Sequence, residues 1–294
     1  MVTRTRWRAA RRSTTRAAGS RAAGRVRSGG RQAANSPVLG FLARTGFLAR
    51  GLMYIVIGWI AVRIAFGHDS QQADGTGAVH ELGRTPAGEV ALWVLVVGFF
   101  GMAVWRLSEA AAGPPERDKR KAAFQRLAAL GKAAVYAVLG YGVLKYALGA
   151  GSPKSSDQQS VDLTATLMQH PGGQVLVAVI GAVLAGAGVF LAYKAWKKRF
   201  LESMNLAGLR RQTRRIVEWL GQFGGIARGV VFVTAGVFLV VAAVQAQPGQ
   251  AKGVDSALRS LAATPAGPWL LVIVAIGLIM FGLFSCCEAR WRKV

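Results

Sequence analysis

Acidic residues are scarce in this chain of 294 residues, in which Asp and Glu total 13 while Lys and Arg total 37. Charged residues make up only 17% of the chain, against roughly 25% in an average soluble protein. Hydrophobic residues make up 52% and the formal net charge is +24. A nucleic-acid-binding protein would also be basic, but it would not need long uncharged runs. The combination predicts a membrane protein with basic loops on one side.

Side chains that carry chemistry are sparse as well. The two cysteines, Cys286 and Cys287, are adjacent, and a disulfide across a single peptide link is geometrically difficult. No spaced set of Cys and His indicates a metal site, and no nucleophile–base pair or glycine-rich phosphate loop is present. The sequence therefore predicts no enzyme activity, no catalytic residue, no metal and no cofactor.

Six apolar segments are long enough to cross a hydrocarbon core of about 30 Å. They occupy approximately residues 47–66, 88–107, 129–149, 173–193, 225–246 and 268–287. Buried helices of a large soluble protein are the alternative, but six such runs at near-regular spacing disfavour it. The segments predict six transmembrane helices.

Basic residues alternate between the connections. Residues 1–50 hold twelve arginines and no acidic residue, and the connections 106–132 and 194–218 hold seven and eight Lys or Arg. The other three connections, 67–87, 150–172 and 247–267, hold one or two each. By the positive-inside rule, this predicts that both termini and the two basic connections are cytoplasmic.

The first 38 residues are rich in Arg, Ala, Ser and Gly, a composition typical of a disordered tail. The pair Arg11–Arg12 is not read as a twin-arginine export signal, because no apolar region follows it for some thirty residues. Whether the tail binds anionic lipid, nucleic acid or nothing is left open by the sequence, although nucleic acid is not expected as a partner.

An internal repeat organises the rest of the chain. "ARGLMYIVIG" (49–58), "GKAAVYAVLG" (131–140) and "ARGVVFVTAG" (227–236) align, and so do "TPAG" (85–88), "HPGG" (170–173) and "TPAG" (264–267). Proline near a helix start fixes φ without losing a bonded donor, so the second motif predicts the outer start of each second helix. Each unit is predicted to be a two-helix hairpin with a short outer loop.

The repeats predict an all-α integral membrane fold of three parallel hairpins. Repeat 1 covers residues 39–113, repeat 2 covers 120–200 and repeat 3 covers 216–294. Because every unit crosses the membrane twice, all three share one orientation, and the predicted relation is approximate threefold pseudo-symmetry about the membrane normal.

These motifs resemble a bacterial membrane family catalogued as domain of unknown function 1206, whose members carry about three copies of a two-helix unit. The resemblance covers roughly residues 40–290. In the middle copy Lys132 replaces the starting Arg, Ala133 the following Gly, and Lys194 the terminal Glu. The resemblance implies a multi-pass protein of the bacterial inner membrane and brings no known activity.

Charged residues recur at the inner ends of the repeats. Arg50 and Arg228 start repeats 1 and 3, and Glu109 and Glu288 end them. We predict the intra-hairpin ion pairs Arg50–Glu109 and Arg228–Glu288 at the cytoplasmic interface. Independent charges that extend to the headgroup region are the alternative.

A second set of charges is predicted in the outer leaflet. Arg63 and Lys145 lie thirteen residues after their repeat's basic start, about 20 Å farther along the helix. Glu89 begins the second helix of repeat 1, so we expect Arg63 to contact Glu89. Structural pairing or extension to the headgroups is favoured over an anion pathway.

Two further patterns are predicted to serve packing and membrane contact. Ala178, Ala182 and Gly186 recur every four residues and predict a helix-packing face. The basic connection 194–224 interleaves cations with aromatic and aliphatic residues, which fits either an amphipathic helix on an anionic leaflet or a solvated linker.

The function that the sequence favours is a membrane scaffold, or a module that interacts with anionic lipid headgroups and with membrane-protein partners. The alternative is a transporter or channel for a small solute or ion, with a site on the pseudo-threefold axis. Transporters often carry interrupted helices or intramembrane acidic residues, and the six segments lack a central Asp or Glu, which counts against the alternative.

Overall fold

The computed structural model describes residues 37–67, 72–85, 87–112, 119–151, 154–206, 209–262 and 267–292. Over these residues the chain forms nine α-helices and two short 3-10 turns, with one isolated β-bridge between Met204 and Arg292. Most of the predicted disordered tail, together with Pro86 and residues 264–266 of the T-P-A-G motifs, lies outside the described residues.

Six of the helices are long and apolar enough to cross a membrane, which confirms the predicted number of spans. They are α1 (Pro37–Ala65), α3 (Gly88–Ala112), α4 (Lys119–Ala147), α6 (Gly173–Trp196), α7 (Arg211–Val244) and α9 (Gly267–Trp291). The first helix of each repeat starts ten to fourteen residues before its predicted apolar segment. A hydropathy window finds only the apolar part, whereas helical hydrogen bonding continues into the polar flank.

The prediction of short outer loops is wrong, because each hairpin connection contains a further helix. These helices are α2 (Gly75–Gly83), α5 (Ser156–Met168) and α8 (Val254–Ala262). Each repeat is therefore a long helix, a short helix and a second long helix. We call the end of the bundle that holds the short helices the hairpin end, and the opposite end the basic end.

The short helices reach down between the long ones. A Cβ on Gly75, the first residue of α2, would lie 3.3 Å from Cε of Met53. Met53 precedes the last residue of α1 by twelve residues, or about 18 Å of helix. Ala73, Val79 and Leu258, from the connections of repeats 1 and 3, are fully buried in the main core. Irregular backbone at such depth is tolerated in a membrane protein only where the protein itself covers it.

The long helices pack mainly between repeats. The second helix of one repeat lies against the first helix of the next, in the pairs α3–α4, α6–α7 and α9–α1. The last of these pairs joins repeat 3 back to repeat 1. The three repeats thus contact one another in a closed cyclic order rather than as a row.

Glycines bring the paired helices into backbone contact. A Cβ on Gly51 would lie 2.8 Å from the Gly282 carbonyl oxygen, and one on Gly282 would lie 2.6 Å from that of Gly51. Gly188 and Gly229 face each other in the same reciprocal way across α6 and α7, at 2.7 and 2.8 Å. Small residues permit such approach in lipid, where packing rather than the hydrophobic effect drives helix association.

The predicted small-residue face of α6 is wrong. A Cβ on Gly186 would have no other atom within 4 Å, and Ala182 is exposed. The residues of α6 that meet α7 are instead Gly181 and Gly188, one heptad apart. On α3, Gly98 does face α1, since a Cβ added to Gly98 would lie 2.5 Å from the Cβ of Ala49.

The middle hairpin is open. Helices α1 and α3 pack together in repeat 1, and α7 and α9 in repeat 3, but α4 and α6 are not among the closely packed pairs of the described chain. In the most apolar window of α4 only 22% of residues are buried, and in that of α6 only 17%, against 39–50% in the other four long helices. Helices α4 and α6 therefore expose more of their surface than the other four long helices do.

The basic connection after α6 folds onto the bundle rather than forming a separate surface helix. Residues Arg199–Ser203 make a 3-10 turn, Met204 is buried, and α7 starts at Arg211 and continues into the membrane span. Phe200 packs edge-on against Phe284 of α9 with ring centroids 5.0 Å apart. This segment covers the basic end of repeat 3.

The glycine contacts predict a position-specific effect on stability. Replacing Gly188 by Ala places a methyl 2.7 Å from backbone atoms of α7, so we expect a loss of about 1–3 kcal/mol from overpacking. The matched variant Gly186→Ala faces open space and gains helix propensity, so it should be neutral or stabilising. Thermal unfolding of the purified protein in detergent measures both; equal losses would contradict the α6–α7 packing.

Candidate functional site

Arg50 forms the most buried ion pair of the basic end. Its guanidinium donates to Glu288 of α9, and its Nε donates to Ser285 Oγ at 3.0 Å. The side chains of Arg50 and Glu288 are only 11% and 6% exposed. The guanidinium also lies over the rings of Phe47 and Phe281, at 5.0 and 5.3 Å from their centroids. Because Glu288 also accepts from Arg292, this carboxylate joins α1 to the end of the chain.

The predicted pairing within hairpins is wrong. Arg50 pairs with Glu288 rather than Glu109, and Glu109 accepts instead from Arg106 of its own helix at 2.6 Å. The physical reason is the cyclic packing: α1 lies in backbone contact with α9, so the acidic end of repeat 3 is the nearest carboxylate to the start of repeat 1.

The three repeats use equivalent positions for this contact, but with different charges. Arg50 of repeat 1 meets Glu288 of repeat 3. Lys132 of repeat 2 lies within electrostatic range of Glu109 of repeat 1. The residue of repeat 2 that aligns with Glu109 and Glu288 is Lys194. At the position that would pair with Arg228, the sequence therefore has a second cation instead of a carboxylate.

Helix packing brackets the Arg228 site from both sides. A Cβ on Gly229 would lie 2.9 Å from that of Ala192, and one on Gly225 would lie 2.6 Å from that of Ala195. The α6 segment that carries Lys194 therefore runs directly beside the α7 segment that carries Arg228. Lys194 itself also lies within electrostatic range of Lys132 on α4.

Arg228 has no carboxylate partner among the described residues. Its guanidinium lies over three aromatic rings, those of Tyr54, Phe232 and Phe281, at 5.6, 5.0 and 4.9 Å. Its Nε is buried and has no hydrogen-bond acceptor within the described chain. Phe281 is shared with Arg50, so two cations flank one ring. Aromatic faces stabilise a cation, but they leave its hydrogen-bond donors available.

A tyrosine adds a polar group to the same region. Tyr136 of α4 lies within electrostatic range of Arg50, Arg228 and Arg106, and its ring stacks on Phe99 at 6.2 Å. We define the cationic cluster as Arg228, Lys194, Lys132 and Tyr136. It lies at the basic end of the open middle hairpin and offers several donors for an anion.

The outer charges are also arranged differently from the prediction. Arg63 donates to Glu81 of α2 at 3.2 Å, so the predicted Arg63–Glu89 contact is wrong. Glu89 is exposed and makes no ion pair within the described chain. The carboxylate that Arg63 contacts lies on the short helix, which the prediction of a short loop did not include. Lys145 is exposed at the end of α4.

Sequence reasoning missed a second cluster, formed by aspartates at the starts of the short helices. Asp74 accepts from Ser156 N of repeat 2, Asp157 accepts from Gly253 N of repeat 3, and Asp255 accepts from Ala73 N of repeat 1, each at 2.7 Å. We call these residues the aspartate ring. Each repeat thus satisfies a backbone donor of the next one in the same cyclic order. Asp and Ser–x–x–Gln capping patterns in the hairpin connections were the available signal.

Burial affects the ionisation of this ring. It raises the pKa of the Asp255 carboxyl above its usual range, while the hydrogen bond from Ala73 and the contact with Arg259 act in the opposite direction.

Over the described ranges no three His, Cys, Asp or Glu side chains are grouped as metal ligands.

These features define a multi-pass α-helical membrane protein built from three copies of one helical unit. The family profile described as Domain of Unknown Function (DUF1206) matches the chain three times, over residues 45–113, 127–198 and 223–292. The chain therefore belongs to this family, as its repeated motifs predicted.

One curated relative has a comparable length. The chain is 28% identical to the uncharacterized protein YxxB of Bacillus subtilis (strain 168) over 252 residues, which cover 85% of this chain and 90% of that protein. No solved structure matches the chain.

The Arg50–Glu288 pair predicts a large difference between two acidic residues. Glu288→Gln leaves Arg50 and Arg292 without a counter-charge in a buried site, and we expect a loss of about 3–5 kcal/mol. Glu109→Gln removes a carboxylate that is 38% exposed and serves one arginine, Arg106, which keeps its contact with the Trp105 ring, so it should cost less, about 1–2 kcal/mol. Thermal unfolding in detergent distinguishes this result from the intra-hairpin arrangement, in which both variants would lose similar stability.

The aspartate ring predicts a particular pH dependence. A raised folded-state pKa means that the native protein binds this proton more tightly than the unfolded chain, so the contribution of Asp255 to stability falls as pH rises through the interval between the two pKa values. The stability difference between the wild-type protein and Asp255→Asn should therefore widen in favour of wild type from about pH 7 to about pH 4. Asp162→Asn, at an exposed surface pair with Lys154, serves as the control. A difference that narrows on acidification would contradict the effect of burial on Asp255.

Proposed function

We propose that the protein is a non-catalytic module of the bacterial inner membrane that binds the phosphate of an anionic lipid headgroup at its basic end. The observation that carries this proposal is that Arg228 has no carboxylate partner among the described residues. At the two equivalent positions of the bundle a cation lies near a carboxylate, whereas the α6 residue that aligns with these carboxylates is Lys194. An anion from outside the chain would take the place that Glu288 occupies beside Arg50.

The chemistry of the cluster suits a phosphate. The phosphate oxygens accept hydrogen bonds from guanidinium, ammonium and hydroxyl groups, and hydrogen bonds to charged groups contribute about 1.5–3 kcal/mol each. The buried Nε of Arg228 has no acceptor in the part of the chain that the structure describes, and such an unsatisfied donor carries a free-energy cost that a bound anion would remove. Clusters of basic residues beside the ends of membrane helices recognise headgroups in this way.

The open middle hairpin supports a lipid rather than a soluble anion as the ligand. Helices α4 and α6 expose apolar side chains to the outside of the bundle, among them Val135 and Val189, which are both 58% exposed. An acyl chain could lie against these side chains while its headgroup lies at the cluster. Burial of apolar area by the chain and charge complementarity at the headgroup would then act together.

The proposal includes an orientation. Both ends of the chain and the two basic connections would be cytoplasmic, as the distribution of Lys and Arg favours. The cyclic contacts between repeats support an approximate threefold axis along the membrane normal. The headgroup site would then lie in the cytoplasmic leaflet, and partner membrane proteins would meet the exposed faces of α4 and α6.

A transporter for a small anion is the second candidate. The observation that favours it is the convergence of three short-helix N-termini inside the bundle, an arrangement that some transporters use at their substrate sites. Here, however, the aspartate ring accepts from the N–H groups that a translocated anion would need. A site held by three carboxylates disfavours an anion, so lipid binding remains the stronger proposal.

Lipid-dependent stability tests the proposal. We expect phosphatidylglycerol to raise the unfolding temperature of the detergent-purified full chain by about 2 °C or more over phosphatidylcholine. Lys194→Glu supplies the missing carboxylate and should abolish this difference, and Arg228→Gln should reduce it. Lys197→Glu, an exposed residue on the same connection, should retain it.

Two comparisons separate the alternatives. Inorganic phosphate that stabilises the protein as well as the lipid does would indicate a soluble anion. Flux of a small anion into liposomes that is lost in Arg228→Gln would favour the transporter. Full retention of the phosphatidylglycerol effect in Lys194→Glu would overturn the proposed site.

A further inference from the structure

A cavity at the hairpin end of the middle repeat has a composition different from that of the cationic cluster. Its volume is about 370 Å³, and it is lined by α4, by the start of α2 and by the start of α5. Val138, Leu139 and Val143 of α4 form its apolar wall with Val79 of α2. Met53 of α1 also lines it, so the cavity lies between repeats 1 and 2.

Two lysines line this cavity, Lys145 at the end of α4 and Lys154 before α5. In repeat 1 the position of Lys145 belongs to Arg63, which donates to Glu81 of α2. The residue of α5 that aligns with Glu81 is Thr166, so repeat 2 keeps the cation and lacks the acid. Lys154 pairs with Asp162 at a site where both side chains are more than half exposed, an arrangement that contributes little to stability.

The polar groups deeper in the cavity are already satisfied. Asp74 accepts from Thr76, Gly77 and Ser156 backbone N–H groups. Thr76 Oγ1 and Gln159 Nε2 both donate to the Lys154 carbonyl oxygen. A ligand therefore contacts apolar side chains and polar groups that already have hydrogen-bond partners. The Asp74 carboxylate repels an anionic group, which is attracted to the two lysines instead.

We propose that this cavity binds a single-chain anionic amphiphile, with its carboxylate at Lys145 and Lys154 and its acyl chain along the apolar wall of α4. The volume is near the lower end of the 300–1,000 Å³ typical of ligand pockets, which fits one chain rather than a two-chain phospholipid. Val138 and Tyr141 of the lining are each 63% exposed, so the chain can enter from the outer surface of α4. This site shares no lining residue with the cationic cluster, whose α4 members Lys132 and Tyr136 lie thirteen and nine residues before Lys145.

Photo-crosslinking tests the site in the full-length protein. A palmitate analogue that carries a diazirine should label α4 and α5 at the cavity, as mapped by peptide mass spectrometry. Lys145→Glu reverses the charge of an exposed side chain and should lower this labelling about tenfold. Gly142→Leu fills the cavity without a change of charge and should lower it to a similar extent.

The controls separate this proposal from the proposed function. Arg84→Glu, an exposed cation of the hairpin end outside the cavity, should leave the labelling unchanged. Lys194→Glu should leave it unchanged as well, even where it abolishes the phosphatidylglycerol effect. A diazirine phosphatidylglycerol that labels the cavity as strongly as the palmitate analogue would overturn the single-chain ligand. Equal palmitate labelling of wild type and Lys145→Glu would overturn the site.

Discussion

The close contact between the second helix of each repeat and the first helix of the next determines the rest of this structure. Glycines on both sides, such as Gly51 with Gly282 and Gly188 with Gly229, allow the backbones to touch. Within lipid this close packing replaces the hydrophobic effect as the source of helix association. It also decides which charges meet, because a side chain beside the contact reaches the neighbouring repeat before it reaches its own hairpin.

The number and type of the long helices could be predicted from the sequence, since apolar length is a direct signal of membrane spans. The pairing of charges could not. Arg50 and Glu109 belong to the same repeat, and for that reason they were predicted to pair. The cyclic packing of the repeats instead brings Glu288 to Arg50. Likewise α2, α5 and α8 are short and mixed in polarity, so a hydropathy window passed over them. The depth of these helices in the bundle depends on tertiary packing. The sequence around Asp74 or Asp255 does not indicate that these aspartates are buried.

The middle repeat differs from its neighbours in both packing and charge. Its two long helices stand apart, and it carries lysines where the first repeat carries acidic residues or an arginine paired with one. In a bundle of three identical units, each interface would pair a cation of one repeat with a carboxylate of its neighbour. Divergence of one unit leaves Arg228 without a carboxylate partner among the described residues, in a bundle whose α4 and α6 expose apolar side chains, which is the combination that an anionic amphiphile needs. The departures of the repeat from its own pattern are therefore more informative about binding than the pattern itself.

The contact of α9 with α1 has a consequence for the order of assembly. During synthesis α1 is made before α9, yet its glycine face and Arg50 remain uncovered until α9 has entered the membrane. The ring of helix contacts thus closes only when α9 is in place, after the intervening membrane spans have been made. Loss of the last turn of α9 would therefore also destabilise the middle of α1, where Glu288 neutralises Arg50.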